Sequence, residues 1–394
     1  MSKQAIYIDT NSHGTMHEQF NAAMLLVSSK SFKDIIYYGG KSSLSNTFKL
    51  IESLHENAIK QRKIFVVGGS GKYSLLFRTI VSHLQNLRFL IFSKQNQVLI
   101  YNFNNFLSIK SLNFLNKIIK RDIIIFCHSE LSFLEKDCIH NNFIYNLRSR
   151  NLRNIFLNPN TTIANKLYFA VLGDSIKENL SHIVTSNKLK HIISIDHPYL
   201  FSNLKRKKHS SILKLGVIGT MAQEKGADIL VEIAQKLNLI DRSDVSISII
   251  GRILCKTEQF SQNGIILPSN LGKESIPRDE FDSLISDLDY ILYLYPNSSY
   301  KFSASGSLLD SLSIESPVIS FKNSYFQYIF NKFGSFGYLV DNIPEMISLI
   351  EELANPHHAP KMFEFEKIKS RLSPDAITDV FKANLIAIDF LDKK

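Results

Sequence analysis

Short apolar segments alternate with helical patterns along the whole chain, and this alternation limits the chain to a few fold classes. In the first half the strand-like segments lie at residues 5–9, 35–38, 64–67, 89–92, 123–126, 155–157 and 168–171. In the second half they lie at residues 215–218, 247–250, 265–267, 290–294, 318–321 and 338–340. Helical periodicity fills the intervals, for example at residues 17–28 and 45–59. Strands that alternate with helices in this way predict parallel sheets in an α/β fold.

The chain is too long for a single hydrophobic core of ordinary size. Its 394 residues, 44% of them apolar, predict two domains. We expect two Rossmann-like, doubly wound domains that face a cleft, one at residues 1–196 and one at residues 212–373. A linker is predicted at residues 197–211, because Asp196-His197-Pro198 breaks the alternation there. In such sheets ligands bind beyond the carboxyl ends of the strands.

A polar loop, a helix and a buried strand follow one another at residues 300–321. Ser305, Gly306 and Ser307 stand immediately before the apolar face of the helix, and Asp310 lies about one turn further along. The open N–H groups and the dipole of a helix start favour the binding of phosphate. An ordinary capped helix is the alternative interpretation, because serine also favours N-caps.

A second strand, loop and helix lie at residues 213–237. The loop holds Gly219, Lys225 and Gly226. Glycine at a strand end lets a ligand approach the backbone, and Lys225 adds a mobile cation at the start of the next helix. A solvated surface lysine is the alternative. Arg252, just after the next predicted strand, is a further candidate for the same ligand.

The two segments together resemble the C-terminal half of GT-B glycosyltransferases, especially those of glycosyltransferase family 4. Lys225-Gly226 corresponds to the Lys-Gly of that family, and Asp310 corresponds to the second of its two paired acidic residues. The motifs that carry the resemblance lie at about residues 213–340, and the rest of the chain resembles the family in layout.

The chain departs from the family pattern at three positions. Thr220-Met221 stands where the family often has an arginine. Phe302 occupies the position of the first paired acid, and Glu315-Ser316-Pro317 replaces Gly-x-Pro. The family retains the anomeric configuration, but the missing first acid leaves inversion or retention open.

The resemblance implies an enzyme that moves a sugar from a nucleotide-diphosphate donor to a hydroxyl of a glycan, including a lipid-linked one. The expected setting is the synthesis of bacterial surface polysaccharide, such as O-antigen or capsule. A terminal helix within residues 374–394 is expected to pack back on the first domain. No Asp-x-Asp signature stands out, so we expect neither a metal nor a cofactor beyond the donor. The implied donor-binding residues are Gly219, Lys225, Arg252, Ser305, Gly306, Ser307 and Asp310.

Acceptor-side chemistry is predicted in two loops of the first domain. His13 follows the first strand, in the loop that GT-B enzymes direct at the acceptor, and is a candidate general base. Glu18 lies in the first turn of the next helix, where a solvated, helix-capping role is the alternative. Glu130 follows the apolar strand at residues 122–126 and is a second candidate base.

The net charge of +10 suits a protein that meets phosphorylated ligands or anionic surfaces. No nucleic-acid-binding motif is visible. The densest basic run, Lys205, Arg206, Lys207 and Lys208, is a candidate contact with an anionic membrane, with a solvated linker as the alternative. The three cysteines are scattered, and the start of the chain lacks the pattern of a signal peptide. We therefore expect a cytoplasmic protein, peripheral on the inner face of the cell membrane.

Two other functions stay open at this point. A nucleotide-sugar epimerase of the same fold would bind the donor but need no acceptor. A non-catalytic partner subunit would keep the fold without turnover, and Phe302 in place of an acid is the feature that favours it.

Overall fold

The computed structural model describes residues 3–52, 59–69, 71–135, 143–207, 212–272, 276–296, 299–359 and 361–392. The chain divides into two compact units. Unit 1 comprises Met1–Leu200, Lys301–Ala304 and Leu372–Lys394, and unit 2 comprises Phe201–Tyr300 and Ser305–Arg371. The predicted boundaries of the two domains and of the linker at residues 197–211 stay a prediction.

The described part of unit 1 contains one parallel sheet of seven strands. The strands are β1 (Gln4–Ile8), β2 (Asp34–Gly39), β3 (Ile59–Lys63), β4 (Gln97–Tyr101), β5 (Asp122–Phe126), β6 (Leu167–Val171) and β7 (Ile192–Ser194). Their order is β3-β2-β1-β4-β5-β6-β7, so the direction of winding reverses between β1 and β4. The β1, β4 and β5 segments are continuous apolar runs, as expected for strands that are buried on both faces.

Helices pack on both faces of this sheet. They are α1 (Glu18–Ser31), α2 (Lys41–Ile51), α3 (Lys72–Phe92), α4 (Ser108–Ile119), α5 (Phe143–Phe156), α6 (Asp174–Ser181), α7 (Ser186–Leu189) and, from the end of the chain, α15 (Pro374–Ala387). One core joins the sheet to α1, α2 and α15, and the other joins it to α4, α5 and α6. The alternation of side chains along each strand divides the apolar residues between these two cores.

The described part of unit 2 contains a parallel sheet of five strands. The strands are β8 (Leu213–Met221), β9 (Val245–Ile253), β10 (Tyr290–Tyr293), β11 (Val318–Phe321) and β12 (Gly337–Val340). Their order is β12-β11-β10-β8-β9, so the winding reverses between β8 and β10. The helices are α8 (Ala227–Lys236), α9 (Glu258–Ser261), α10 (Arg278–Ser286), α11 (Gly306–Ser313), α12 (Ser324–Phe333), α13 (Ile343–Ala354) and α14 (Phe365–Leu372).

The predicted α/β class with two parallel, doubly wound sheets is confirmed, but four of the predicted strands are wrong. Residues 89–92 lie at the end of α3, and residues 155–157 lie at the end of α5 and just beyond it. Residues 64–67 follow β3 without regular structure, and residues 265–267 contribute only an isolated bridge from Ile266. Short apolar runs inside or at the end of a helix cannot be told from strands by periodicity, which accounts for the first two errors.

The helix predicted at residues 45–59 is also too long, because α2 ends at Ile51 and Ile59 begins β3. Within the residues that the structure describes, no helix combines the length and the apolar character needed to cross a lipid bilayer.

Candidate functional site

The reversal of winding in unit 2 places two strand-end loops side by side. The loop after β8 leads to α8, and the loop after β10 leads to α11. Open α/β sheets bind ligands in the crevice outside the carboxyl ends of the strands at such a reversal. The two segments singled out in the sequence are therefore the loops at this crevice of unit 2.

Gly219 and the start of α11 lie against each other. Gly219 has a φ of 86°, which a side chain would adopt only with strain, and a Cβ atom added to it would lie 4.0 Å from the Cβ of Ser307. This is the closest contact such an atom would make, so the backbone of Gly219 has open space around it. Residues 88 positions apart in the sequence thus form one candidate phosphate site.

The N-terminus of α11 is capped by a side chain but keeps an open face. The Ser305 hydroxyl caps the helix by accepting from the N–H of Leu308 at 3.4 Å, and it lies 3.2 Å from the Ser307 hydroxyl. Tyr293, at the end of β10, donates to the carbonyl of Ser307 at 2.6 Å and so holds the first turn of the helix. A Cβ atom on Gly306 would meet no atom within 4 Å, so the helix start is accessible to a ligand.

Two cations of the same unit have no carboxylate partner among the described residues. Lys225 places its ammonium 5.9 Å from the centre of the Tyr295 ring, and Arg252 lies on β9 opposite Thr220 in the register with β8. In the part of the chain that the structure describes, neither side chain forms an ion pair. An unpaired cation beside an open helix N-terminus is a site for an anion such as phosphate.

The glycine after Lys225 has a packing role. Gly226 has a φ of 87° and begins α8, and a Cβ atom there would lie 2.3 Å from the carbonyl oxygen of Leu294. Only glycine fits this left-handed position against the backbone of the neighbouring loop. In the Lys-Gly pair, Lys225 therefore supplies a cation without an ion pair among the described residues, and Gly226 fixes the loop in which Lys225 lies.

Asp310 is held in an ion pair. Its carboxylate lies 2.7 Å from a guanidinium nitrogen of Arg278, which also pairs with Asp282 at 2.8 Å. The predicted contact of Asp310 with ribose hydroxyls stays a prediction, and a ligand would meet a carboxylate that Arg278 already orients.

In unit 1 the loop after β1 is held by hydrogen bonds to the side chain of Asp9. Its Oδ1 accepts from the backbone N–H groups of Asn11 and Ser12 at 3.2 and 2.8 Å. Its Oδ2 accepts from Asn21 at 2.8 Å and from Ser43 at 3.1 Å. Asp9 is completely buried, so this carboxylate holds the loop and does not contact solvent.

The predicted acceptor-side residues occupy this loop and the helix that follows it. The Nε2 of His13 lies 3.0 Å from the carbonyl oxygen of Gly69, which fixes the ring over the segment before α3. Glu18 is half-buried in the first turn of α1, directly after His17. Their catalytic roles stay predictions.

Glu130 lies inside the protein. Its side chain is completely buried, one carboxylate oxygen accepts from the N–H of His128 at 3.0 Å, and the other has no partner among the described residues. Burial raises the pKa of Glu130 to about 7, although the nearby Arg148 guanidinium acts in the opposite direction. The bond from His128 helps to fix the loop after β5, and the catalytic role of Glu130 stays a prediction.

A cluster of three histidines was not found from the sequence. The rings of His17 and His128 lie 4.4 Å apart, and Phe20 contacts both His128 and His197 with ring centres 4.8 and 5.1 Å apart. Burial lowers the pKa of all three imidazoles, that of His197 to about 4. His17 directly precedes α1, and His128 and His197 lie two and three residues beyond the ends of β5 and β7, but only the strand order brings the three together. In the described residues no group of His, Cys, Asp and Glu is arranged to hold a metal ion.

Comparison with known proteins places these sites in a known architecture. The lipopolysaccharide outer core galactosyltransferase WaaB is 14% identical, with a TM-score of 0.59 over 98% of this chain and 100% of that chain. TarM is 12% identical, with a TM-score of 0.61 over 98% of this chain and 99% of that chain. HepE of Anabaena in complex with UDP is 12% identical, with a TM-score of 0.59 over 98% and 100% of the two chains.

The chain has a GT-B fold. No family model matches the sequence, and no curated protein sequence matches it. At 12–14% identity these likenesses establish the fold and do not by themselves transfer an activity.

The structure shows what surrounds the residues that depart from the GT-B family motifs. Phe302, in place of the first acid, is buried in a core of unit 1, and the adjacent Lys301 pairs with Glu135 at 3.0 Å. Glu315, in place of glycine, adopts a φ of 57° and is held by Lys369 at 2.8 Å and Lys205 at 3.3 Å. Glu315 thus adopts a left-handed conformation, which a side chain disfavours, while its carboxylate is held by two lysines.

Proposed function

We propose that this protein is a glycosyltransferase that moves a sugar from a nucleotide-diphosphate donor to a hydroxyl of a glycan. The observation that carries the proposal is the proximity of Gly219 to Ser307 at the reversal of winding in unit 2, where a Cβ atom added to Gly219 would lie 4.0 Å from that of Ser307. That proximity brings an open strand end and an open helix N-terminus together, on a fold that glycosyltransferases share. Lys225, just before α8 in the same unit, would add positive charge to this anion site.

The chemistry assigned to this site is stabilisation of the leaving group. When the bond between the sugar carbon and the phosphate oxygen breaks, negative charge builds on the diphosphate. The N–H groups at the start of α11, together with Lys225 and Arg252, would stabilise that charge more in the transition state than in the bound donor. This reaction needs no metal or cofactor in the proposal, because the protein itself supplies the positive charge.

The neighbours suggest which donor to test first. HepE of Anabaena has been crystallised with UDP-glucose, and TarM of S. aureus with UDP and alpha-GlcNAc-glycerol. We extend these ligands to the present chain as a proposal: a uridine-diphosphate hexose as donor and a glycan as acceptor. A lipid-linked acceptor, a role in bacterial O-antigen or capsule synthesis and a cytoplasmic location complete the proposal.

The experiment is a donor screen followed by a turnover assay. Uridine, guanosine and adenosine diphosphates are titrated into the protein by calorimetry, and the sugar nucleotides of the base that binds are then incubated with glycan acceptors. Binding of one diphosphate, with its release from the sugar nucleotide only when an acceptor is present, is the expected result. Absence of binding by all three diphosphates would overturn the proposal.

The same assay separates the two alternatives. An epimerase converts the sugar nucleotide into a new one when no acceptor is added. A non-catalytic partner subunit binds the diphosphate but releases none with any acceptor, and the burial of Phe302 in place of an acid is the observation that favours it.

His13 tests the acceptor side of the proposal. His13→Ala is expected to lower kcat by about 100-fold, within the range of general-base effects, and to leave donor affinity unchanged. His83→Ala is the control, because His83 lies in the same unit, half-buried on α3 and outside the loop after β1. An unchanged kcat in His13→Ala would remove His13 from the reaction.

The membrane contact predicted for the basic run is less well supported. Lys205 lies 3.3 Å from Glu315, and Arg206 lies 3.4 Å from Asp289, so both charges are paired within unit 2. Lys207 is exposed, and Lys208 lies outside the described residues. Peripheral attachment to an anionic membrane remains part of the proposal, but these pairs leave little free charge at this location.

A further inference from the structure

Helix α3 directs polar side chains into unit 1. Arg78, Ser82 and Asn86 are spaced by one helical turn, and each is almost completely buried. The inner face of a surface helix is ordinarily the apolar one. In α3 this face is polar over two turns.

These inward groups are satisfied by hydrogen bonds. Thr10 lies 2.7 Å from the Ser82 hydroxyl and donates to Asn86 at 3.0 Å. Asn86 donates in turn to Ser108 at 3.1 Å, and Arg78 donates to the carbonyls of Val67, at 2.6 Å, and Gly69. The polar contacts fix the rotation of α3, so the side chains opposite to them must point outward.

The outward face of α3 is apolar. It carries Tyr73, Phe77, Ile80, Leu84 and Ile91, whose spacing of three, four or seven residues forms one stripe along the helix. Tyr73 is 90% exposed, Phe77 58% and Leu84 60%. Contiguous apolar side chains of this size on a surface mark a site of interaction.

Adjacent segments extend this stripe. Gln85 of α3 donates to the carbonyl of Phe65 at 2.6 Å, which holds Phe65 beside the helix with its ring mostly exposed. Helix α4 packs next to α3 and exposes Phe114 and Ile118. We call the exposed apolar side chains of α3, with Phe65, the α3 face.

The sequence segment that carries the α3 face has charges of one sign. Every charged residue from Lys60 to Arg121 is lysine or arginine, in a chain whose total charge is +10. Arg62, Lys63, Arg88 and Lys94, from the strand before α3, from α3 itself and from the loop after it, are all exposed. Arg88 lies within the apolar stripe, and Lys94 follows its end.

We propose that the α3 face docks on an anionic lipid bilayer. A long helix with aromatic and aliphatic residues on one side, flanked only by cations, has the composition of an interfacial membrane helix. The rings of Tyr73 and Phe77 would enter the boundary between headgroups and acyl chains, while the flanking cations meet anionic headgroups. A surface of uniform positive charge does not complement a second copy of itself, which favours lipid over self-association. The proposal is independent of sugar transfer.

The absence of tryptophan from the chain permits a direct test. Phe77→Trp introduces the only tryptophan of the protein at the centre of the α3 face. Its emission is expected to shift to the blue on addition of vesicles of equimolar phosphatidylglycerol and phosphatidylcholine, and not with phosphatidylcholine alone. Ile240→Trp in unit 2 is the control, because Ile240 is 65% exposed, and its emission is expected to stay unchanged.

A second variant removes the apolar stripe. Tyr73→Ser, Phe77→Ser and Leu84→Ser combined are expected to weaken co-flotation with the anionic vesicles at least tenfold, and these exposed positions leave the fold intact. The matched control combines Ile240→Ser, Leu254→Ser and Ile266→Ser in unit 2, where the side chains are 65%, 58% and 56% exposed. This control is expected to float as the unaltered protein does.

Two results would overturn the proposal. One is equal flotation of both triple variants together with an unshifted emission of Phe77→Trp. The other is sedimentation of the unaltered protein as a dimer that the α3 triple variant converts to a monomer, without vesicle binding by either. The second result would assign the α3 face to a second copy of the chain.

Discussion

The strand-end loops of the two units differ in the charged groups that accompany them. In unit 1 the loop after β1 is tied from inside by Asp9, and the loop after β5 by Glu130, both completely buried. In unit 2, Gly219 near the end of β8 and Gly306 at the start of α11 have open space around them. Lys225 and Arg252 of the same unit pair with no carboxylate among the described residues. In the first pair of loops, backbone N–H groups already donate to a buried carboxylate. The second pair belongs to a unit with two cations that have no carboxylate partner among the described residues.

The difference indicates where each unit holds a ligand. A loop whose N–H groups are already bonded to a buried carboxylate offers a fixed shape but few free donors. A loop with an open helix start and unpaired cations attracts an anion. The nucleotide diphosphate is therefore expected in unit 2, and four substitutions test this comparison.

Asp9→Ala is expected to have the largest effect. It removes the acceptor for at least four buried donors, and unsatisfied buried groups cost about 1–3 kcal/mol each, so unit 1 should lose at least about 4 kcal/mol of stability. Hydrogen exchange should show lost protection in β1, β2 and α1 while the β8 to β12 sheet stays protected. The control Asp228→Ala removes an exposed carboxylate and should change stability by less than about 0.5 kcal/mol.

Glu130→Gln is expected to change the pH dependence of stability. Because the folded-state pKa of Glu130 is raised from 4.5 to about 7, folding retains a proton that the unfolded chain releases, and stability falls as the pH rises through this window. The glutamine variant lacks this loss, so it should gain about 2–3 kcal/mol relative to the unaltered protein between pH 5 and pH 8.

The control for this prediction is the histidine cluster, which both proteins keep. The lowered pKa of His197 destabilises the fold as the pH falls from about 6.5 towards 4, in the opposite direction and equally in both proteins. Denaturant unfolding at pH 5, 6, 7 and 8 gives the difference. A glutamine variant that loses stability at pH 8 would show that Glu130 acts as a paired carboxylate with Arg148.

Gly306→Val is expected to weaken binding of the nucleoside diphosphate by about 100-fold, or about 2.7 kcal/mol. The branched side chain enters open space at the start of α11, so the fold is kept and the approach to the N–H groups is blocked. Gly68→Val is the control, because a Cβ atom there also meets no atom within 4 Å but lies in unit 1. Calorimetry that finds equal affinities for the two variants would move the phosphate site away from α11.

Lys225→Ala is expected to have the smallest effect, about tenfold in affinity for the same diphosphate, or about 1.4 kcal/mol. One cation is lost, but the helix start and Arg252 remain. Lys236→Ala at the end of α8, the helix that follows Lys225, is the control, because its ammonium already pairs with Glu232 at 2.7 Å. A larger loss for Lys225→Ala than for Gly306→Val would mean that the cation, and not the helix start, dominates the site.

The sequence was sufficient for the fold class and for the two loops of unit 2, because strand, loop and helix follow one another in each. The sequence did not predict the extent of α3, because several polar residues of this helix point inward. The apolar run at residues 89–92 was therefore interpreted as a buried strand, although Ile91 and Phe92 are exposed at the end of the helix. A pattern method assumes that apolar residues are buried, and α3 violates that assumption.

The candidate site was predictable only in part, for a different reason. Gly219 and Ser307 belong to separate motifs, and each motif could be identified locally. The ion pair between Asp310 and Arg278, the burial of Glu130 and the histidine cluster depend on residues far apart in the chain. Such contacts follow from strand order and helix packing, which single-sequence patterns do not specify.

Helix α15 has a consequence for the way the protein is made. Ile377, Phe381 and Leu385 of this helix complete the core between the sheet of unit 1 and α1, although in the sequence they follow the whole of unit 2. A nascent chain on the ribosome can form the unit 2 sheet while that side of α1 is still bare. Unit 1 is therefore finished only after unit 2 has been synthesised, and a fragment that stops before residue 372 is expected to aggregate through the uncovered α1.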